Sequence, residues 1–284
     1  ADPWPGAVAV YQSSTDENYQ LNTIISRPST LGVTQTVMPQ ASAGLIDKGP
    51  VLEVWLAHGA LETISDEALL SGGNLAAIGD GSTDQWEVFQ FGRAELVDTQ
   101  TYHLSHRLRG QVGSDGLMPT AWPAGSVFIL LNGAPEQIDF SPNLRRLLQH
   151  FRIGPAQRPV DDASYSHRQE AFAGNGSRPF SPAHLRLARW DGDDMVFNWT
   201  RRTRMDGDAW DMPEVPLGEE REQYLLRVRS AGALLREEMI ATPEWTYTGQ
   251  ARTADGALGN FDLSVSQVSA AFGAGLAQVL RVEA

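Results

Sequence analysis

The stretch QYLLRVRS, residues 223–230, alternates apolar and polar side chains with a period of two. Tyr224, Leu226 and Val228 fall on one face of an extended chain, and arginines fall on the other. Successive side chains of a β-strand point to opposite sides of the sheet, so this pattern predicts a strand with one buried and one solvated face. The stretch therefore indicates an antiparallel β architecture for this part of the chain.

The same alternation recurs on both sides of this stretch, in the runs MVFNW (195–199), EWTYTG (244–249), NFDLSVSQVSA (260–270) and LAQVLRVE (276–283). About seven short strands in roughly 100 residues, separated by turn signals, are typical of an immunoglobulin-like sandwich. We predict such a sandwich over residues 182–284. The absence of cysteine indicates the fibronectin type III variety, with Trp199 and Tyr224 as core aromatics.

The first half of the chain is also predicted to be mainly β. Strand-like runs are GAVAVYQS (6–13), PVLEVWLAHG (50–59), QWEVFQFGRAELV (85–97), TYHLSHRLRG (101–110) and SVFILLNG (126–133). Leu52, Val54 and Leu56 share one face of the second run. One helical turn is expected within 64–79. For SPNLRRLLQHFRIG (141–154), a helix and a strand with a turn both remain open.

The domain boundaries follow from where these patterns fail. Residues 1–49 are predicted to be strands and loops that continue an upstream domain, because the abrupt start on ADPWPG is typical of a piece of a longer chain. Residues 50–155 are predicted to form a β-rich domain. Residues 156–181 are polar, carry Pro and Gly and lack an apolar period, so we expect a linker or a long surface loop.

Charge and composition exclude several classes of function. The formal net charge is -13 among 284 residues, which argues against direct binding of nucleic acid or of an anionic membrane surface. The chain has no cysteine, so disulfides, thiolate nucleophiles and Cys-containing zinc sites are excluded, while the compartment stays open. No apolar run approaches the roughly 20 residues of a membrane span, and the first residues are not a signal peptide.

The acidic segment within FNWTRRTRMDGDAWDMPE (197–214) has two interpretations. Asp206, Asp208 and a third aspartate could supply oxygen ligands to a cation, but an EF-hand needs a glutamate at its twelfth position, where this chain has Leu217. Asp-Gly-Asp is also ordinary turn chemistry. We favour a solvated loop, which could contact a partner through Asp206, Asp208 and Trp210. Two placements of Trp210 remain open: packed beneath the loop, or exposed as a contact residue. Flanking arginines could neutralise its acids: Arg201, Arg202 and Arg204.

Catalytic signatures are weak. His103 and His106 are the only close histidine pair, and on a strand they would point to opposite faces, so a shared metal is not expected. No G-x-S-x-G elbow occurs, and the glycines at 174–176 are not followed by a helical pattern. We expect no catalytic, cofactor-binding or metal-binding residues, and hence no enzyme.

The chain resembles the C-terminal region of the baseplate megatron, the large "host specificity" tail protein of gene transfer agents and siphophages. The similar segments follow one another over nearly the whole chain: DPWPGAVAVY, LEVWLAHGALETISDEALLSGGNLAAIG, QFGRAELVDTQTYHLSHRLRGQVGSDG, VDDASYSHRQEAFAGNGSRPFSPAHLRLAR and FNWTRRTRMDGDAWDMPEVPLGEEREQYLLRV. The resemblance implies a virion structural protein in the tail tip. It further implies a homotrimeric hub that closes the tail tube, contacts other baseplate proteins and engages the host envelope for DNA delivery.

Two departures limit what the resemblance implies. The family's hydrolase-like TIM barrel lies outside the similar segments, so no catalytic residue is carried over. The family's charged RRG after LRG is replaced by QVG at 111–113, so no role of that loop is transferred.

Two other classes of function remain as alternatives. One is a carbohydrate-binding sandwich that uses exposed rings, for which the candidates are Trp122, Trp210 and Trp245. The other is a tail hydrolase acting on peptidoglycan or polysaccharide.

Overall fold

A computed structural model describes residues 4–205, 207 and 215–283. The chain divides into two compact units, the first ending at Asn175 and the second beginning at Gly176. The division falls inside the stretch predicted as a linker, 156–181. The chain is mainly β, as predicted, and none of the helices among the described residues has the length and apolar character needed to cross a bilayer.

The strands of the first unit are β1 (Val8–Ser13), β2 (Gln20–Ile25), β3 (Leu31–Thr34), β4 (Met38–Pro39), β5 (Ile46–Asp47), β6 (Leu52–His58), β7 (Leu75–Gly79), β8 (Trp86–Asp98), β9 (Thr101–Gln111), β10 (Ala121–Trp122), β11 (Val127–Leu130), β12 (Gln149–Pro155) and β13 (Ser166–Glu170). A short helix, α1 (Asp66–Leu70), lies in the predicted segment and is capped by Ser65, whose Oγ accepts from the backbone N–H of Ala68.

Six of these strands form a closed barrel. The seven-stranded sheet runs β5-β9-β6-β3-β11-β7-β8, and β8 also pairs with β9. Six strands therefore close into an antiparallel ring, and β5 pairs with β9 as an additional strand. Closure leaves no long unpaired edge among those six strands. The barrel interior contains an apolar core, in which the following side chains are fully buried: Leu52, Val54, Leu56, Ala76, Ile78, Phe89, Phe91, Leu104 and Phe128.

The alternation of β9 shifts by one residue at His106. Tyr102 and Leu104 are buried, but farther along the strand Arg107 and Arg109 are the buried residues. His106 has φ of 59°, a left-handed conformation that interrupts the regular pleat. Gly92 lies opposite, where an added Cβ would come within 3.0 Å of the His106 ring. The shift turns two arginines into the barrel.

A second sheet of the first unit has the order β13-β12-β1-β2. Its strand β12 begins at Gln149, after a single 3₁₀ turn at Pro142–Leu144, so residues 141–154 form a turn and a strand and not a helix. Leu147 and Leu148, which a helix would have buried, are about half exposed. Strand β13 lies inside 156–181 and pairs with β12.

The second unit is the predicted sandwich. Its strands are β14 (Ala183–Asp191), β15 (Asp194–Thr200), β16 (Tyr224–Ser230), β17 (Ala233–Ile240), β18 (Glu244–Tyr247), β19 (Phe261–Ser269) and β20 (Gly273–Val282), with one helix, α2 (Gly249–Asp255). One sheet has the order β14-β15-β18 and the other β17-β16-β19-β20. This three-plus-four antiparallel arrangement is that of a fibronectin type III-like domain.

The sandwich core contains the two aromatic side chains that the sequence analysis predicted to be buried. Trp199 and Tyr224 are buried and meet edge to face, with ring centroids 5.2 Å apart. Leu226 and Val228 follow Tyr224 on the buried face of β16. The predicted burial of Tyr224, Leu226 and Val228 on one face of this strand is therefore confirmed.

Candidate functional site

Of the loop chosen from the sequence, the structure describes the two ends and Gly207. Asp206, Asp208 and Trp210 lie outside the described residues, so their contacts stay predictions. On the near side of the loop, the guanidinium of Arg201 donates to the carbonyl oxygens of Pro216 and Val215 at 2.8 and 3.0 Å. Arg204 lies 3.2 Å from a carboxylate oxygen of Glu219. These arginines join the two ends of the loop.

The paired histidines contact different carboxylates. Nε2 of His103 lies 2.9 Å from Glu53 on the neighbouring strand, and Nε2 of His106 lies 3.1 Å from Asp66 at the start of α1. Each side chain thus has its own acidic neighbour.

Two of the three rings proposed for carbohydrate stacking are buried. Trp122 is 4% exposed and donates its indole N–H to Glu87, and Trp245 is 7% exposed between Phe197 and Tyr247. A stacking platform needs an open ring face. The choice of Trp122 and Trp245 as sugar-binding rings is therefore wrong, because both are used to fill cores.

Glu87 on β8 accepts four hydrogen bonds inside the barrel. Its Oε1 lies 2.7 Å from Nε of Arg109 and 3.2 Å from the backbone nitrogen of Gly110. Its Oε2 lies 2.8 Å from Nη2 of Arg109 and 2.7 Å from the indole nitrogen of Trp122. Glu87 and Arg109 are fully buried, and their two parallel contacts are the bidentate geometry that gives the strongest ion pairs.

Asp47 on β5 extends this buried ion network. Its Oδ2 accepts from Nε of Arg107 at 3.0 Å and from Nη1 of Arg109 at 3.2 Å. Further guanidinium N–H groups donate to the carbonyl oxygens of Leu104 and Pro39. Side chains from β5, β8, β9 and β10 therefore meet in one network.

The contacts of the network shift the pKa values of Asp47 and Arg109 toward their charged forms, whereas burial lowers the pKa of Arg107. Burial would raise the pKa of Asp47, but the Gly49 N–H and the Arg107 guanidinium lower this pKa below the ordinary value. Burial would likewise lower the pKa of Arg109, but hydrogen bonding and attraction to Glu87 raise it.

This cluster fits a structural role better than a catalytic one. Both oxygens of Glu87 already accept from donors of the same barrel, and a general base needs a lone pair within reach of a substrate proton. A buried ion pair also fixes which partners meet, because an unpaired buried charge is costly. The network therefore links β8 and β9 of the barrel to each other and to β5 and β10. Alternation alone did not reveal it, because the shift at His106 is not visible in the sequence.

The outer surface of the barrel carries a contiguous apolar face. We call the outer apolar face the side chains of Leu31, Val33, Trp55, Val127 and Ile129 on the adjacent strands β6, β3 and β11. Val33 pairs with Trp55 on one side and with Val127 on the other, and Leu31 pairs with Ile129. Paired residues of antiparallel strands share a face, so these side chains are neighbours.

Three side chains of the outer apolar face are more exposed than is usual for large apolar residues of a sheet. Leu31, Val33 and Trp55 are 42%, 37% and 36% exposed, and the two β11 side chains are half-buried. The salt-bridged pair Glu53 and His103 lies on the same side of the sheet. An apolar centre with polar neighbours is the composition of a protein contact surface.

A polar depression lies beside β1 and β2. Its volume is about 580 Å³, and its lining is mostly amides and hydroxyls, including Gln12, Asn18 and Asn22. Asp139 is its one acidic lining residue. Paired acids, which polysaccharide hydrolysis requires, do not converge in this depression.

Among the described residues, one group of three side chains is spaced for a metal ion: Asp16, His150 and His167. Their potential ligand atoms all lie within 4.8 Å of one another. The group lies on the four-stranded sheet of the first unit, outside the barrel strands.

The comparisons with known proteins bear mainly on the barrel. Residues 29–129 match the model of the family described as "Rcc01698-like, C-terminal". That range includes the whole buried ion network and the outer apolar face. Among curated proteins, no match to the chain was found.

Solved structures similar to this chain include the rat CD45 extracellular region, domains d3-d4, at 13% identity. The alignment covers 55% of this chain and 72% of that chain, with a TM-score of 0.28. Another is chicken CNTN1 FN1-FN3 domains, at 9% identity, covering 89% of this chain and 65% of that chain, with a TM-score of 0.26.

Proposed function

We propose that the chain is a structural, non-enzymatic component of a phage-like tail baseplate, as in gene transfer agents. In this role it is part of the hub that closes the tail tube and engages the host envelope during DNA delivery. The observation that carries the proposal is the outer apolar face, which lies within the residues that match the Rcc01698-like family model.

The outer apolar face supports assembly through protein–protein contacts. Leu31, Val33 and Trp55 present their side chains to solvent on adjacent strands of a closed barrel. Covering this face would remove apolar surface from water, which contributes a favourable free energy of about 25 cal/mol for each Å² buried. Another protein surface is the natural cover for such a face in an assembled tail.

The proposal includes a homotrimer and further baseplate proteins as partners. Closed cyclic symmetry is the usual arrangement of like subunits in an assembly, and a trimer suits a hub around a tube. The net charge of -13 fits contacts with proteins better than contacts with the DNA that passes through the tube. We place the protein at the virion tail tip.

The test uses particles assembled with Trp55→Lys in the chain, compared with particles carrying Leu147→Lys. Trp55 lies in the outer apolar face, whereas Leu147 is about half exposed on the turn before β12. We expect Trp55→Lys to reduce the number of complete tails and DNA delivery at least about tenfold, because a buried lysine without a partner costs several kcal/mol. Leu147→Lys should have little effect.

Two results would contradict the proposal. One is normal tail assembly and delivery by particles with Trp55→Lys. The other is degradation of cell-wall material by the purified chain in a zymogram, which would favour the hydrolase alternative.

A further inference from the structure

A pair of histidines and an aspartate meet on the four-stranded sheet. His150 on β12 and His167 on β13 are diagonal neighbours, since His167 pairs with Arg152, two residues beyond His150. Nδ1 of His150 lies 3.1 Å from Nε2 of His167, and Oδ1 of Asp16 lies 3.9 Å from the same Nε2. The aspartate comes from the turn between β1 and β2.

We propose that Asp16, His150 and His167 bind a divalent transition-metal ion, with Zn²⁺ as the expected ion. Two imidazoles and one carboxylate, with a water molecule as fourth ligand, form a common zinc donor set. Imidazole donors also suit Cu²⁺ and Ni²⁺, whereas Mg²⁺ and Ca²⁺ prefer oxygen. Sequence analysis predicted no metal site because these ligands are far apart along the chain.

The distance between the two histidine nitrogens fits one small ion. Zinc–nitrogen bonds of about 2.0–2.1 Å in a tetrahedral site place two ligand atoms roughly 3.3 Å apart. The observed separation of the two histidine nitrogens, 3.1 Å, is close to that value. The Asp16 side chain is half exposed, so it can rotate to shorten its longer distance without disturbing a core.

The histidine pair itself indicates a ligand position. Two ring nitrogens at hydrogen-bond distance require one N–H donor and one lone pair. If each neutral ring instead carries its proton on the other nitrogen, both lone pairs face the same point. A cation at that point then replaces the N–H···N bond with two coordinate bonds.

The carboxylate oxygen that lies 3.9 Å from His167, Oδ1 of Asp16, also accepts two hydrogen bonds. The Tyr19 hydroxyl donates to Oδ1 of Asp16 at 2.5 Å, and Nη2 of Arg152 donates to the same oxygen at 3.2 Å. Hydrogen-bonded carboxylates of this kind orient metal ligands, although the Arg152 charge weakens the attraction for a cation.

The consequence of binding would be to fix strand β13. The first four of its five residues are exposed, and β12 is the one strand among the described residues that pairs with it. A metal ion that joins His167 to His150 and to the turn at Asp16 would link β13, β12 and the β1–β2 turn by side chains as well as by the backbone ladder.

The experiment is calorimetric titration of the metal-free 284-residue protein with Zn²⁺, with hydrogen exchange of residues 166–170 as the second readout. We expect one Zn²⁺ per chain, and slower exchange in β13 when the ion is bound. His150→Gln, His167→Gln and Asp16→Asn should each weaken binding at least about tenfold. His58→Gln is the matched control, because His58 is an exposed histidine at the end of β6.

Absence of one-to-one binding, or binding that is equally tight in all three variants, would overturn the proposal. Asp16→Asn keeps the test decisive even if a histidine variant fails to fold, because Asp16 is an exposed turn residue. Loss of binding in His58→Gln, with the other three variants unchanged, would place the ion elsewhere.

Discussion

The barrel and the sandwich stabilise their interiors in different ways. Both have an apolar core rich in aromatic side chains, but the fully buried charges among the described residues, Glu87, Arg107 and Arg109, all belong to the barrel. In the second unit, the ion pairs of Arg204 with Glu219 and of Arg236 with Asp255 lie nearer to solvent.

The difference concerns how each interior responds to substitution. An apolar core accepts other side chains of similar volume and loses stability in proportion to the volume removed. A buried ion network depends on every partner, because the loss of one leaves an uncompensated charge in a medium of low dielectric constant. A single substitution in the buried ion network should therefore cost the barrel a large part of its stability. Substitutions in the sandwich core should cost stability in proportion to the volume removed.

The largest effect is expected for Glu87→Ala in the barrel. The change leaves the buried guanidinium of Arg109 without its bidentate partner and the indole N–H of Trp122 without an acceptor. We expect a loss of about 3–5 kcal/mol in the free energy of unfolding of the barrel. Hydrogen exchange against denaturant measures it in peptides from β8 and β9.

The matched control removes both charges at once, in Glu87→Leu with Arg109→Met. If the cost of Glu87→Ala arises from the abandoned charge, the double variant should be within about 1–2 kcal/mol of the unmodified barrel. A double variant as unstable as Glu87→Ala would mean that shape, and not charge pairing, holds this end of the barrel.

A cavity in the sandwich should have a somewhat smaller effect. Leu226 is 1% exposed on β16, and Leu226→Ala removes packing without leaving an unpaired charge. We expect a loss of about 2–5 kcal/mol, and only about 1 kcal/mol for the volume-conserving Leu226→Met. Exchange in peptides of β16 and β19 reports it. Equal losses for the two substitutions would contradict the picture of a tolerant apolar core.

Regular strands could be predicted from the sequence, and the strand that carries the buried arginines could not. In β6 and β16, strict alternation matches burial, because regular strands obey the period of two. In β9 the pattern changes at His106, since one left-handed residue exchanges the two faces of the strand. The inward arginines could not be predicted by a rule that assumes an uninterrupted pleat.

Sites built from distant segments were harder to predict than strands. The buried network combines Asp47, Glu87 and Arg109, and their proximity depends on which strands pair and in which register. A single sequence gives strand positions but not partners. Strand β13 was missed for a different reason, because its side chains are mostly exposed and show no apolar period.

A moderate loss of stability is expected for Tyr247→Phe, which removes a hydrogen bond from the Arg236–Asp255 ion pair of the sandwich. The hydroxyl of Tyr247, on a fully buried side chain, donates to Oδ2 of Asp255 at 2.6 Å, and Nε of Arg236 donates to the same oxygen. Tyr247→Phe removes one of these bonds and keeps the ring, so we expect a loss of about 1–2 kcal/mol at neutral pH. Denaturant-dependent exchange in β18 and β19 measures it.

The effect of Tyr247→Phe should depend on pH. The Arg236 guanidinium, followed by the Tyr247 hydroxyl, lowers the pKa of Asp255 below its ordinary value. A lowered folded-state pKa contributes stability above the unfolded-state pKa, and that stability is lost as the pH falls through the folded-state value. The difference between Tyr247→Phe and the unmodified protein should therefore shrink in acid. A difference that grows below neutral pH would contradict this assignment.

The smallest effect is expected for an exposed ion pair with the same distance as the buried one. Nε of Arg227 lies 2.7 Å from Glu237 across the β16–β17 ladder, and Nε of Arg109 lies 2.7 Å from Glu87. The first pair is 39% and 47% exposed, whereas the second is fully buried. Water screens the exposed charges and solvates either one when its partner is removed, so Arg227→Gln should cost only about 0–1 kcal/mol. Added salt should reduce even this cost, while it should leave the cost of Glu87→Ala almost unchanged. If Arg227→Gln proved as damaging as Glu87→Ala, distance and not burial would determine the strength of these pairs, and the contrast between barrel and sandwich would disappear.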